Sequence, residues 1–190
     1  MGERAGRPPV DVPTPGHDGG RCVRVGGVAP GVGASTVALG IGGLLAWSGW
    51  PTAVVGGPEL LRLAGVAPWR GPGADELSCL DPRQAAQEFP HVARRCPAVP
   101  GLWLLAGSPR VYGQGWPVAC TVVDVGVGAA DVLVATVGEA GVVRWPGSPP
   151  ARLPGSARVA RAGRRGRVPA GLPGTYLAAL RRGMGLEPVR

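Results

Sequence analysis

The chain has 190 residues and a formal net charge of +8, with 45% hydrophobic but only 5% aromatic residues, and 34 Gly and 22 Pro. That length suits one domain with a proper core, while Gly and Pro above a quarter of the chain predict that part of it lies outside the core. No lysine or asparagine occurs; all 20 basic residues are arginine, a bias that a G+C-rich coding sequence produces and that weakens any motif resting on glycine spacing alone.

In chain order, "MGERAGRPPVDVPTPGHDGG" carries prolines and glycines without hydrophobic periodicity and reads as a flexible leader over 1–20, with no apolar signal-peptide core. The fold begins near Arg21. "CVRVGGVA" predicts a buried strand, "APGVGAST" a loop, and "STVALGIGGLLAWSGW" a helix whose apolar face includes Val37, Ala38, Ile41, Leu44 and Leu45. Pro51 ends the helix, and "TAVVGG" is a second strand. A helix then starts at Asp75 or at Asp81, where Asp81 suits an N-cap and Pro82 the first helical position. "GLWLLAGS", "VACTVVDVGVG" and "DVLVATVGE" supply three more continuous apolar runs. Runs without alternation belong to strands covered on both faces, so five of them with intervening helices predict an α/β fold with a mainly parallel sheet flanked by helices.

The text changes after Arg144, and the compact domain is expected to span 21–144. Residues 145–190 read as an arginine-rich, Pro/Gly-rich tail with one short helix in "GTYLAALRRGMG". Residues 1–150 hold 11 Arg against 11 Asp plus Glu, and 151–190 hold 9 Arg against Glu187 alone, so the whole positive charge sits in the last forty residues. Such a segment is attracted to nucleic acid or anionic membrane. The longest apolar stretch, Val37 to Trp50, is 14 residues, too short to span a bilayer, and a cytoplasmic protein, membrane-associated at most through its tail, is expected. Cys22, Cys79, Cys96 and Cys120 are widely spaced, with only His17 and His91 as co-ligands. They read as buried, reduced thiols rather than a zinc site.

The loop between the first strand and helix has the layout of a phosphate cradle, in which backbone N–H groups and the helix N-terminus converge on an anion. It fails the standard G-x-x-x-x-G-K-[ST] pattern twice, with Val28 at the first glycine and Ala34 at the lysine, and it fails G-x-G-x-x-G at Thr36. It resembles the deviant Walker A loop of the MinD/ParA class of P-loop ATPases, K-G-G-x-G-K-[ST]-[ST]. The likeness is closest to the CpaE-like branch of actinobacterial septum-site and secretion-neighbourhood proteins, where the loop reads G-G-x-G-A-S-T. Gly31, Val32, Gly33, Ala34, Ser35 and Thr36 match that branch, whereas the signature lysine falls on Ala29 and the first glycine on Pro30. "TVVDVGVG" resembles the family's Walker B strand with Asp124 in the acid position; "GLWLLAGSPR" and "ADVLVATVGEAGVVR" resemble neighbouring strands. The family's aspartate after the second strand is missing, with Gly56 and Gly57 in its place.

The resemblance implies a shortened P-loop NTPase-like fold of SIMIBI type and ATP or ADP held with Mg²⁺. The amides of Gly31 to Thr36 would cradle phosphates, and Ser35 and Asp124 would hold the metal. It also implies a role in septum placement or in secretion or pilus assembly, with protein partners from that apparatus. An active ATPase in which a homodimer brings Arg110 or Arg144 of a second copy to the phosphates is a further option. Without a loop lysine, a charge-assisted hydrogen bond of about 1.5 to 3 kcal/mol is lost, and Pro30 removes one N–H. Binding with little or no hydrolysis, a pseudo-ATPase, is the expectation; a non-enzymatic adaptor with a basic tail is the alternative.

Overall fold

The computed structural model describes residues 21–67, 70–108, 115–137, 140–154 and 156–186. The expected leader and Arg110 therefore lie outside the described residues. One eight-stranded sheet organises these residues, in the order β3-β4-β2-β5-β1-β6-β7-β8. Its strands are β1 (Arg21–Gly27), β2 (Thr52–Gly56), β3 (Arg94–Arg95), β4 (Leu102–Ala106), β5 (Cys120–Val127), β6 (Val132–Val137), β7 (Ala140–Arg144) and β8 (Ala151–Leu153). The five inner strands β4, β2, β5, β1 and β6 are parallel, and β3, β7 and β8 are antiparallel additions at the edges. The expected α/β architecture with a mainly parallel sheet is present, and its five apolar runs are the five parallel strands.

The helices are α1 (Ala34–Trp47), α2 (Pro58–Leu63), α3 (Ala74–Leu77), α4 (Pro82–Val92), α5 (Ser156–Arg164) and α6 (Gly174–Gly183). Both expected starts, near Asp75 and at Asp81, are used: the Asp81 carboxylate accepts from Arg83 N–H at 2.9 Å and Gln84 N–H at 3.0 Å, with Pro82 opening α4. Alternate residues of β2 feed opposite cores. Val54 joins α1 and Leu104 on one face, while Ala53 and Val55 join Phe89, Leu105 and Trp116 under α3 and α4 on the other.

Helix α1 is buried nearly all round, because it lies between the sheet and α6. Gly42 and Gly40 make that possible: a Cβ on Gly42 would run into Val54 of β2, and one on Gly40 would lie 2.7 Å from Leu180 of α6. Each mid-helix glycine costs about 1 kcal/mol against alanine, offset by the apolar surface that close packing removes from water.

Two features depart from expectation. The 145–190 segment is not a tail outside the domain: β8 pairs with β7, and Leu172, Tyr176, Ala179 and Leu180 are buried in the α1 core. The charge and the glycines of this segment obscured an apolar spacing of four, three and one residues, the pattern of a helix face. Second, no helix joins β5 to β6. Parallel strands ordinarily need a crossover of a dozen or more residues, but here residues 128–131 pass directly over β1, tied by Gly128 N–H to Gly27 C=O (3.3 Å) and Asp131 N–H to Arg24 C=O (3.0 Å). Gly26 lies beneath, where an added Cβ would be 2.9 Å from Ala130 Cβ. The Asp131 carboxylate locks the link by accepting from Arg24 N–H at 2.8 Å and pairing with its guanidinium at 3.1 Å. Burial raises that carboxyl's pKa, but the Arg24 hydrogen bonds and charge outweigh it and hold the group below its usual range.

Of the cysteines, Cys96 and Cys120 are buried as expected, Cys22 is half-buried and Cys79 is exposed. Among the described residues, no helix is long and apolar enough to cross a membrane.

Candidate functional site

The glycine loop leaves the C-terminal end of β1, at the centre of the sheet. From β1 the chain turns back across β5 to β2, and from β5 it crosses β1 to reach β6. Two adjacent strands whose connections leave in opposite directions open a crevice at their carboxyl ends, the usual ligand position in open α/β sheets. The loop and the end of β5 fill this crevice.

Local chemistry shapes the loop. Gly31 and Gly33 have φ of 77° and 98°, with nothing within 4 Å of where a Cβ would lie, so these two positions require glycine for backbone reasons alone. Gly33 is the N-cap of α1, and no side chain caps the helix. The first-turn N–H groups therefore open onto the crevice, with the positive end of the helix behind them. Val32 turns inward, half-buried against the core, and anchors the loop from below. Ser35 is half-buried and Thr36 nearly buried, and neither hydroxyl has a partner among the described residues.

Asp124 reaches the same place from β5. The β1–β5 register shifts between Val25 and Gly26, pairing Val25 with Asp124 and Gly26 with Gly126, so Val125 is an extra residue. A bulge of this kind bends a strand and re-aims its side chains. The Asp124 carboxylate accepts from Gly126 N–H at 3.1 Å, and a Cβ on Gly56 would lie 3.2 Å from Asp124 Cβ. A glycine at position 56 thus leaves Asp124 its room.

One open cavity of about 440 Å³ gathers these groups: Ala29 to Thr36, Asp124, Gly126, Val127, and Glu59 and Leu63 of α2. All six loop residues expected as ligands and both expected metal ligands, Ser35 and Asp124, line it. Glu59 is the residue that sequence reading missed. The end of β2 carries no acid, but Pro58 starts α2 and Glu59, one residue into the helix, returns a carboxylate to the crevice. Its pKa is lowered, chiefly by the hydrogen bond from Arg62.

On the other side of the loop lies a second cavity of about 270 Å³, shared by Gly31, Gly33 and Thr36 but walled by Val134, Leu153 and Tyr176. Burial raises the pKa of the Tyr176 phenol. Arg144, the other arginine expected to act from a second copy, ends β7, two strands from β1, and is exposed. His91 lies exposed in the last turn of α4, away from this site.

Compared with protein-family models, curated proteins and solved structures, the chain matches none of them.

Proposed function

We propose that this protein is a divergent P-loop protein of the MinD/ParA class, CpaE-like branch, that binds ATP or ADP with Mg²⁺ and hydrolyses it little or not at all. The observation that carries the reading is the single cavity shared by residues 29–36, Ser35, Asp124 and Glu59. The donor set fits the ligand: an uncapped helix N-terminus and left-handed glycines suit phosphate, and hydroxyl and carboxylate oxygens suit a hard divalent cation. The adjoining apolar cavity, with Leu153 and Tyr176, suits the ring of a nucleoside. In this reading Ser35 and Asp124 hold Mg²⁺, the loop amides orient the phosphates, and the lack of any basic side chain among the cavity's lining residues leaves charge developing on a transferred phosphoryl group without a counter-ion.

The biological role that goes with the reading is spatial organisation, in septum placement or secretion or pilus assembly, through contacts with other proteins of that apparatus. Calorimetric titration with ATP and ADP, with and without Mg²⁺, tests the chemistry. Binding is expected to depend on Mg²⁺ in the wild type and to lose that dependence in Asp124→Ala. Absence of any nucleotide or Mg²⁺ effect in both proteins refutes it.

A second reading, an adaptor that binds nucleic acid, is favoured by one feature. Arg158, Arg161, Arg165 and Arg167 surround an open cavity of about 330 Å³, and all four are exposed, with no ion-pair partner among the described residues. Four unpaired guanidinium groups repel one another until a polyanion joins them. Helix α5 turns Val159 and Ala162 into the core, so it presents charge without the apolar face that a bilayer surface takes. The two readings concern different faces and can hold together.

A further inference from the structure

We infer that Arg62 supplies the positive charge that the glycine loop lacks, changing partner from the Glu59 carboxylate to a phosphate group when a ligand enters the cavity. The inference rests on the nucleotide reading above and gives it a residue that no motif contains.

The problem it addresses is electrostatic. The residues around the cavity include two carboxylates, Asp124 and Glu59, and no basic side chain, an unfavourable field for a polyphosphate. A metal ion answers the Asp124 charge, but Glu59 remains.

Helix α2 contains the remedy. Glu59 and Leu63, four residues apart, both face the cavity, and Arg62, three residues from Glu59, lies on the same side of the helix. The Arg62 guanidinium grips Glu59 with both arms, Nε to Oε2 at 3.0 Å and Nη2 to Oε1 at 2.6 Å. This planar fork fits two oxygens of a phosphate as well as two of a carboxylate. Glu59 thus holds Arg62 at the rim as a phosphate would.

The exchange needs little else to move. The Arg62 and Glu59 side chains are 72% and 57% exposed, and a pair so open to water is held weakly. The helix beneath is fixed: Leu60 and Leu61 are fully buried, and Val168 N–H donates to Leu63 C=O at 3.0 Å. Arg24 is committed elsewhere, to Asp131, and Arg158, Arg161, Arg165 and Arg167 line a separate cavity.

The test is a double-mutant cycle in the full chain, with Mg²⁺-ADP as the probe and calorimetry as the readout, on wild type, Glu59→Gln, Arg62→Gln and the double variant. Freeing Arg62 by Glu59→Gln should tighten binding about three- to tenfold, and Arg62→Gln should weaken it by about the same factor. The gain from Glu59→Gln should vanish when Arg62 is also Gln. A gain that persists in the double variant means that Glu59 acts only by its negative charge, and it overturns the inference, as does an Arg62→Gln variant that binds like wild type. If the wild type does not bind but Glu59→Gln does, the nucleotide reading of the wild-type protein falls and the inference falls with it. Failure of wild type and Glu59→Gln alike overturns both the inference and the nucleotide reading, whereas normal wild-type binding with a flat cycle overturns the inference alone. Both side chains are exposed, and far-ultraviolet circular dichroism of each variant checks that the fold is retained.

Discussion

Replacing Gly27 by alanine tests whether the glycine loop sits on its strand as described. Gly27 is buried at the end of β1 and does not have a positive φ, so the backbone accepts alanine. In free space the exchange would stabilise the protein by about 0.4 to 1 kcal/mol through the unfolded chain. The space is not free: the new methyl would lie 2.6 Å from Val32 Cγ2 and 3.0 Å from the Ala29 carbonyl oxygen. Carbon atoms settle about 3.5 to 4.0 Å apart, so the loop must lift by roughly 1 Å or Val32, stiff at χ1, must leave its seat. Overpacking of this kind costs about 1 to 3 kcal/mol. In urea unfolding followed by circular dichroism, the midpoint should fall by about 1 M at unchanged slope. Val32→Ala alone removes packing and also destabilises, but it vacates the contested space, so the double variant should be more stable than the summed losses imply, by more than the roughly 0.5 kcal/mol scatter of independent sites. Under the nucleotide reading, Gly27→Ala weakens ADP binding and the second substitution restores part of it. A Gly27→Ala protein as stable as wild type, with additive double-variant losses, refutes the described seating of the loop.

Three further outcomes follow from other parts of the fold. The folded-state pKa of Asp131 is depressed, so its contribution is complete above the unfolded value of about 3.9 and is lost as pH falls through the folded one; Asp131→Asn should therefore destabilise at pH 7 by about 1 kcal/mol, with the gap closing as pH falls below the unfolded value in parallel denaturation curves. Phe89 is fully buried, with its ring centroid 5.5 Å from Trp103 and 5.6 Å from Trp116, so Phe89→Ala should cost about 3 to 5 kcal/mol and change tryptophan fluorescence before unfolding begins. If the arginines in and just after α5 contact nucleic acid, duplex DNA binding measured by fluorescence anisotropy should weaken steeply with salt. Converting Arg158, Arg161 and Arg165 to Gln should flatten that slope by up to about 3, and a slope unchanged by the triple replacement refutes the adaptor reading.

What the sequence revealed followed from how strongly each element writes itself into the chain. Continuous apolar runs, Gly31 and Gly33 before a helix, and Asp81 with Pro82 are local signals, and each corresponds to the expected element. Helix α2 is six residues, "PELLRL", shorter than two turns, so no period could reveal it, and with it went Glu59 and Arg62. Strands β7 and β8 gain their place by pairing with β6 and with each other, a long-range condition that "AGVVR" and "ARL" do not announce. The C-terminal segment hides its fold because nine arginines dominate its composition, while Leu172, Tyr176, Ala179 and Leu180 are buried in the core. The convergence of the loop, Asp124 and Glu59 depends on a bulge at Val125 and on the crossing at 128–131, and neither has a one-dimensional signature.

The central place of β1 has a consequence for how the protein comes into being. Its two neighbours are β5 and β6, so Arg21 waits for Cys120 and Val25 for Val132. Contacts so distant in sequence form slowly, because a long loop must close before any pairing rewards it. During synthesis the glycine loop emerges well ahead of β5 and β6, and its seat does not exist until more than ninety further residues have followed. The antiparallel pairings of β6 with β7 and of β7 with β8, by contrast, join strands close in sequence and can precede it. A loop made long before its neighbouring strands is thus among the last parts to acquire its shape, and a ribosome that stalls before Val132 leaves α1, apolar nearly all round, without its sheet and exposed to aggregation.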